Sequence, residues 1–341
     1  MKTNKIIVML VMLLFISGCG SFKKEYTPTI TSKDIYTGKD GLRMEFFENT
    51  PPKEIFENSP LPIGLKIYNE GAYDIENGYL SISLEKDYMS LDEASLRSIN
   101  DMFNFKDPQH IQFSLKGKTI EHPKGEQDVV TFNAKTTENL SKIDPQSEYH
   151  NSLISITSCY KYQTKAVETV CIDTDVYGFK QREKSCKVEA ISLSSQGAPV
   201  AVTKIESEMV PSTDDTSIIK PRFIITVKNL GNGEVIREDK VEGACSSERL
   251  GQGEWNNIKV KAYISTMTDE KNKLDCNIIG GDKYDNGTLI LKQKEDSIRC
   301  SYEEGFKQIK GTFSSPLYII LDYGYTDTIS KDVKIRKVVT N

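Results

Sequence analysis

The sequence holds a single tryptophan, Trp255, and only three histidines, His110, His122 and His150, which lie far apart along the chain. Chemistry that relies on clustered imidazoles has little to work with here. No C-x-x-C pair or Cys/His cluster has zinc-ligand spacing, so no metal site is expected and no cofactor is implied. Blocks of like charge are also missing. The net charge is −5 and the sequence pI about 5.5, which argues against nucleic acid, whose phosphates are held by clustered Lys and Arg. Catalytic signatures fail on inspection. Gly117-Lys118-Thr119 ends like a P-loop, but Gln112 stands where the phosphate cradle needs its first glycine. The S-x-x-K at 21–24 lies in a polar lead-in and that at 83–86 in an alternating strand, and the S-D-N and K-T-G partners are absent. No G-x-S-x-G occurs. No apolar run reaches the roughly 20 residues of a membrane-spanning helix.

What the chain does have begins at its start. Lys2 and Lys5 precede an apolar run at 6–16 and the small pair Ser17-Gly18, the layout of a secretory signal. Removing this leader, which has no acidic residue, makes the remainder more acidic still. Ile16-Ser17-Gly18-Cys19 resembles the lipobox of bacterial and archaeal lipoproteins: an aliphatic residue, two small residues and a cysteine. The resemblance implies cleavage after residue 18, a lipid on the Cys19 sulfur, and the membrane as a partner reached through that lipid. Two or more acyl chains attach a soluble body stably, so the expected location is the outer face of a cell membrane. Residues 19–40 are polar, with Thr27-Pro28-Thr29 and Thr31-Ser32, and are expected to form a flexible tether.

Setting Cys19 aside leaves Cys159, Cys171, Cys186, Cys245, Cys276 and Cys300. An even number in an exported chain points to disulfides. Six cysteines allow 15 pairings. Cys159 and Cys171 flank an apparent hairpin, as do Cys276 and Cys300, which would leave Cys186 with Cys245.

The body reads as all-β. Ile63, Leu65 and Ile67 alternate before Asn69-Glu70-Gly71, and Leu80, Ile82 and Leu84 alternate after Asn77-Gly78. Further short runs centre on 111–115, 129–132 and 153–156, the pattern of a β-sandwich. One interruption is helical in form: Ser90-Leu91-Asp92-Glu93 fits a capping box, and Leu96, Ile99, Met102 and Phe103 follow at helical spacing, predicting a helix over 91–103 inserted in the first domain. The theme then repeats. "RFIITVKNLG" echoes "PIGLKIYNEG", and Ile258, Val260, Ala262 and Ile264 and the segment "PLYIILDYGY" follow. The expected fold is two tandem sandwiches, 41–176 and 177–341, divided within the polar stretch between Asp173 and Ser185.

An aliphatic strand ending in Asn-x-Gly, entered from Glu57-Asn58-Ser59-Pro60, resembles the immunoglobulin-like CARDB modules of prokaryotic surface proteins; Lys228-Asn229-Leu230-Gly231 fits that pattern closely and Tyr68-Asn69-Glu70-Gly71 departs by one residue. The resemblance covers about a dozen residues in each domain. It implies an immunoglobulin-like fold and transfers no catalytic residue.

Candidate sites are sparse. Tyr160 and Tyr162 would project together from the Cys159 hairpin as a binding tip, with sheet-edge or domain-boundary packing as the plainer reading. Trp255 reads as core. Asp282, Asp285, Asn286 and Gly287, or Asp173 with Asp175, offer oxygens for calcium but fall short of a full ligand set. Asn139 and Asn286 sit in glycosylation triplets. Together these features predict a lipid-anchored surface protein with a structural or adhesive role, binding an unidentified envelope protein or polysaccharide and no nucleic acid. The rivals are an accessory subunit of an envelope machine and a hydrolase with a loop site that no motif reveals.

Overall fold

The computed structural model describes residues 32–97, 103–107, 110–138, 140–178, 183–246, 249–267, 269–279 and 287–338. The leader, Cys19, most of the expected tether, Asn139, Asp282, Asp285 and Asn286 lie outside these residues. The chain is mostly β. Its first part forms β1 (Leu42–Phe46), β2 (Glu54–Phe56), β3 (Pro60–Asn69), β4 (Ile75–Leu84), β5 (Met89–Leu91), β6 (Phe103–Asp107), β7 (His110–Leu115), β8 (Gln127–Thr136) and β9 (Tyr149–Asp173). The rest forms β10 (Ile191–Ser192), β11 (Val200–Pro211), β12 (Ile218–Asn229), β13 (Glu234–Ile236), β14 (Asn257–Ile264), β15 (Asp275–Ile278), β16 (Thr288–Ile290), β17 (Glu295–Ser301), β18 (Phe306–Lys307) and β19 (Thr312–Arg336).

Three sheets result. A four-stranded sheet runs β1-β3-β8-β5, and a six-stranded one runs β10-β11-β12-β17-β15 with β18 beside β12. The third has nine strands, β16-β14-β19-β9-β4-β7-β6, with β13 and β2 also on β19. Its spine is the pair β9/β19. These strands of 25 residues run antiparallel in unbroken register, from Asp173↔Thr312 to Tyr149↔Arg336, over about 80 Å at the usual rise per residue. Alternation fixes which face is inward. Ile154, Ile156, Tyr160, Tyr162 and Ala166 of β9 are buried beside Leu317, Ile319, Leu321, Tyr323 and Tyr325 of β19.

The two halves of the chain meet on this spine as a pseudo-twofold repeat. Tyr162 OH donates to Asn69 Oδ1 at 3.2 Å, and Tyr325 OH donates to Asn229 Oδ1 at 3.2 Å. Each asparagine also receives the N–H two residues on, from Gly71 or Gly231, and donates to a carbonyl four residues on, at Tyr73 or Gly233. A Cβ at Gly71 would fall 1.8 Å from Tyr162 OH, and one at Gly231 2.3 Å from Tyr325 OH. This explains why both turns read Asn-x-Gly. Leu42 N–H donates to Tyr160 OH just as Val200 N–H donates to Tyr323 OH.

Several expectations change. The division at 173–185 does not separate two bodies, because β9 on one side of it pairs along its whole length with β19 on the other and the described residues form one compact unit. The tether is shorter than 19–40. Residues 32–35 form a helical turn with Ile35 buried, Gly38 N–H donates to Ser195 Oγ, and Gly197 N–H donates to Gly38 O. The 91–103 helix is a single turn, Glu93–Arg97, capped by Asp92, which accepts the N–H groups of Ala94 and Ser95. Residues 98–102 lie outside the described set, and Phe103 already belongs to β6.

The six cysteines form three disulfides, Cys159–Cys245, Cys171–Cys186 and Cys276–Cys300. Only the last is as expected, with its residues directly opposite on β15 and β17. Cys159 and Cys171 cannot pair: both sit on β9, about 40 Å apart along one extended strand. Cys245 comes from the segment 237–256 between β13 and β14, which folds over the outer face of the nine-stranded sheet. There Val241, Cys245 and the half-buried Trp255 close a small second core with Tyr79, Cys159 and Ile236. Gly324 makes room beneath it, since a Cβ would come within 2.7 Å of Ile236 and Val241. His110 Nε2 lies 2.6 Å from Cys245 O. A segment of the second half is thus stapled onto strands of the first.

Candidate functional site: a groove over Gly64

A concave surface lies on the outer face of the four-stranded sheet. Along β3, Leu61, Ile63, Leu65 and Ile67 point inward and are almost fully buried, which turns Pro62, Gly64 and Lys66 outward. Gly64 pairs with Thr131 and Pro62 with Asn133 on β8. After β1 the chain folds back over this face: Phe47 N–H donates to Gly64 O at 2.9 Å, and Thr50 N–H donates to Phe47 O at 3.3 Å. A Cβ at Gly64 would lie 2.5 Å from the Phe47 ring and 2.6 Å from Thr50 Oγ1. Glycine is therefore the residue that lets the turn settle onto the sheet.

Beside that turn is a cavity of about 370 Å³, lined by Phe47, Thr50, Pro62, Val129, Thr131 and Asn133. A second depression of about 440 Å³ adjoins it and shares Asn133, with Pro60, Asp92, Glu93 and Lys135 around it. The helical turn Glu93–Arg97 walls the far side, where Ser95 Oγ accepts Asn133 N–H at 2.8 Å. Val129 is 44% exposed at the rim. Thr50 Oγ1 is buried and has no hydrogen-bond partner among the described residues. Such a group costs roughly 1–3 kcal/mol when left unpaired, so native structures rarely leave one without a reason. The inner cavity offers hydroxyls, an amide and apolar surface but no titratable side chain. That suits binding rather than acid–base work.

The sequence pointed elsewhere. Tyr160 and Tyr162 are buried and form no tip; with Tyr323 and Tyr325 they make an aromatic layer at the centre of the spine, ring centroids 5.5–6.4 Å apart. The reason is the β period: both lie on the inward face of β9. Burial holds Tyr160 and Tyr323 well above the ordinary phenol value and raises Tyr162 and Tyr325 as well. Asp173 is also occupied. Burial would raise its pKa, but the Lys184 ammonium, Asp175 N–H and Thr312 hydroxyl outweigh that and hold it below the usual carboxylate range. Among the described residues no group of three His, Cys, Asp or Glu is placed to hold a metal. The signal for the groove was present, unread, in Gly64: a glycine inside an otherwise apolar strand marks a close approach by another part of the chain.

One cluster looks catalytic at first sight. His150 stacks on Tyr88 with centroids 3.5 Å apart, its Nδ1 3.1 Å from Asp144 Oδ2 and its Nε2 3.1 Å from Glu85 Oε2. Ser152, buried, donates to the same Glu85 oxygen. Glu85 thus stands between the serine and the imidazole, and both ring nitrogens face carboxylates. A serine nucleophile needs the imidazole itself as its hydrogen-bond partner. The cluster ties the β4–β5 turn to the start of β9.

The chain matches no protein-family model and no curated protein. Among solved structures it is similar to a serine-rich repeat adhesion glycoprotein from Streptococcus agalactiae, at 10% identity over 89% of this chain and 99% of that one, with a TM-score of 0.19. It is also similar to a secreted serine protease from Vibrio cholerae, at 12% identity over 83% of this chain and 50% of that one, with a TM-score of 0.18. A DUF4466 family protein from Parabacteroides merdae gives 8% identity over 83% and 99%, with a TM-score of 0.20. Scores of this size carry no argument for fold or function.

Proposed function

We propose that this chain is an exported surface protein, lipid-anchored through Cys19, whose two immunoglobulin-like halves form a rigid binding body at the envelope and catalyse no reaction. The carrying observation is the cysteine arrangement. All six cysteines of the body pair with one another, which leaves Cys19, within its lipobox-like sequence, for a different chemistry. Disulfides persist in oxidising compartments, in keeping with export. Among the described residues no helix is long and apolar enough to cross a membrane, and the lipid would supply the attachment. Ile35 is buried and Gly38 is hydrogen-bonded to Ser195 and Gly197, so a tether over 19–31 would reach at most about 45 Å if extended. Mass spectrometry of the mature amino terminus should find a diacylglyceryl-type modification on Cys19. Cys19→Ser should release or misprocess the protein while the three disulfides still form. An unmodified Cys19, or a leader retained in the wild-type protein, overturns the anchor.

A further inference from the structure

We infer that two copies of this chain join edge to edge through β9, residues 161–171 of each running antiparallel about a twofold axis at Val167. This goes beyond the reading of the chain as an anchored binding body. The first ground is an open edge at the centre of the spine. β4 covers one side of β9 from Ile154 to Tyr160, and past Tyr160 no strand among the described residues lies on that side. The direction of the backbone groups there follows from the register. Ser265 N–H donates to Pro316 O and Lys334 N–H to Lys53 O, so the even-numbered residues of β19 face away from β9. Its odd-numbered residues therefore bond to even-numbered residues of β9. That turns the N–H and C=O groups of Lys161, Gln163, Lys165, Val167, Thr169 and Cys171 toward the open side. None of these groups has a hydrogen-bond partner among the described residues. Val167 is 53% exposed, and the run has no proline, glycine or bulge to blunt it.

The second ground is the molecule's own repeat, which shows what covers such an edge. Tyr160 and Tyr162 of β9 match Tyr323 and Tyr325 of β19, so residues 161–171 correspond to 324–334. There the same edge is closed by strands, β13 over Gly324–Thr326 and β2 from Lys334 onward. The third ground is that β9, which receives no such strand from its own chain among the described residues, can supply one to a copy of itself. Residues directly opposite in an antiparallel pair share a face. With the axis at Val167, the exposed valine meets its own copy, Lys165 stands opposite Thr169, Gln163 opposite Cys171 and Lys161 opposite Asp173. On the inner face Ala166 stands opposite Glu168 and Thr164 opposite Val170, so no like charges are opposed. An axis at Lys165 would bring two ammonium groups face to face, which is destabilising. The lysines thus select the register rather than block the edge. Such a contact is isologous and closes as a dimer.

The test is sedimentation equilibrium of the purified full chain in density-matched detergent, with amide hydrogen exchange across the same dilution series. The chain should pass between monomer and dimer. The amides of Lys161, Gln163, Lys165, Val167 and Thr169 should gain protection with the dimer, while those at 154–160, already beside β4, should not change. Val167→Lys sets like charges on the axis and should weaken the dimer about fivefold or more. It should leave the melting temperature of the monomer unchanged, because the side chain is exposed. Under oxidation Val167→Cys should form a disulfide between copies, whereas Lys165→Cys, displaced along the strand from its own copy, should not. A chain that stays monomeric up to millimolar concentration overturns the inference. So does a dimer that Val167→Lys leaves intact, or a disulfide that forms through Lys165→Cys and not through Val167→Cys. Protection of 161–171 at every dilution also overturns it, as the sign of an edge already covered within one chain or by a bound peptide.

Discussion

The two halves share a skeleton and differ in what covers it. Both build an aliphatic strand ending in a buried asparagine that clamps a tyrosine of the spine. In the first half β4 runs without interruption beside β9. In the second, the corresponding path is split into β13 and β14, and the segment between them crosses to the first half and is stapled there by Cys159–Cys245. On the opposite face the roles reverse. The first half keeps glycine at 64 and a groove; the second has isoleucine at 224 and surface ion pairs. A repeated frame thus leaves each half free to specialise, one as the groove and one as the source of the brace.

Breaking the brace should have the largest effect. In the loop-entropy model, losing Cys159–Cys245, with a separation of 86 residues, costs about 4.5 kcal/mol, against about 3.5 for Cys276–Cys300 and about 3 for Cys171–Cys186. Paired serine substitutions followed by denaturant titration should return that order. If Cys159–Cys245 proves the mildest loss, the 237–256 segment does not brace the halves.

The matched asparagines come next. Asn69→Ala and Asn229→Ala each strip a buried tyrosine, a turn N–H and one or two carbonyls of their partners. Each should cost about 2–3 kcal/mol, with Asn69 the larger because it also donates to Leu115 O at 3.0 Å. A large asymmetry in the other direction would show that the repeat is geometric but not energetic.

The smallest effect at neutral pH lies in the phenols. Tyr162→Phe and Tyr325→Phe should each cost about 1 kcal/mol, one hydrogen bond apiece. Their pH behaviour is more distinctive. The folded pKa values of Tyr160, Tyr162, Tyr323 and Tyr325 are all raised, chiefly by burial. Their stabilisation is therefore complete below the unfolded phenol value of about 10 and is lost as pH rises beyond it. Ultraviolet titration should show these four ionising only as the protein unfolds. Ionisation of all the tyrosines near pH 10 in a protein that stays folded would contradict the buried layer.

Much of the frame was legible from residue patterns. Alternation located β3, β4, β12 and β14, and the echo of Asn-x-Gly marked the duplication because each glycine answers a tyrosine hydroxyl overhead. The absence of any Gly or Pro across β9 was a clue to its length. Reading a hairpin between Cys159 and Cys171 ignored it, and the error carried into the disulfides and the tyrosine tip. The capping-box reading of Ser90 failed because Asp92 outcompeted it as a cap. The groove was hidden for a different reason: it depends on a turn from β1 settling over β3, a contact that no periodicity encodes.

The length of the β9/β19 pair also has a consequence for how the chain acquires its structure. β9 is complete at Asp173, but the strand that pairs with its whole length begins only at Thr312. Until then a 25-residue edge stands open on the nascent first half, the kind of edge that recruits neighbouring chains. Pairing at such sequence distance is also slow. The first half is therefore not a fragment that can mature while the remainder is being made, and its final state waits on the last strand of the chain.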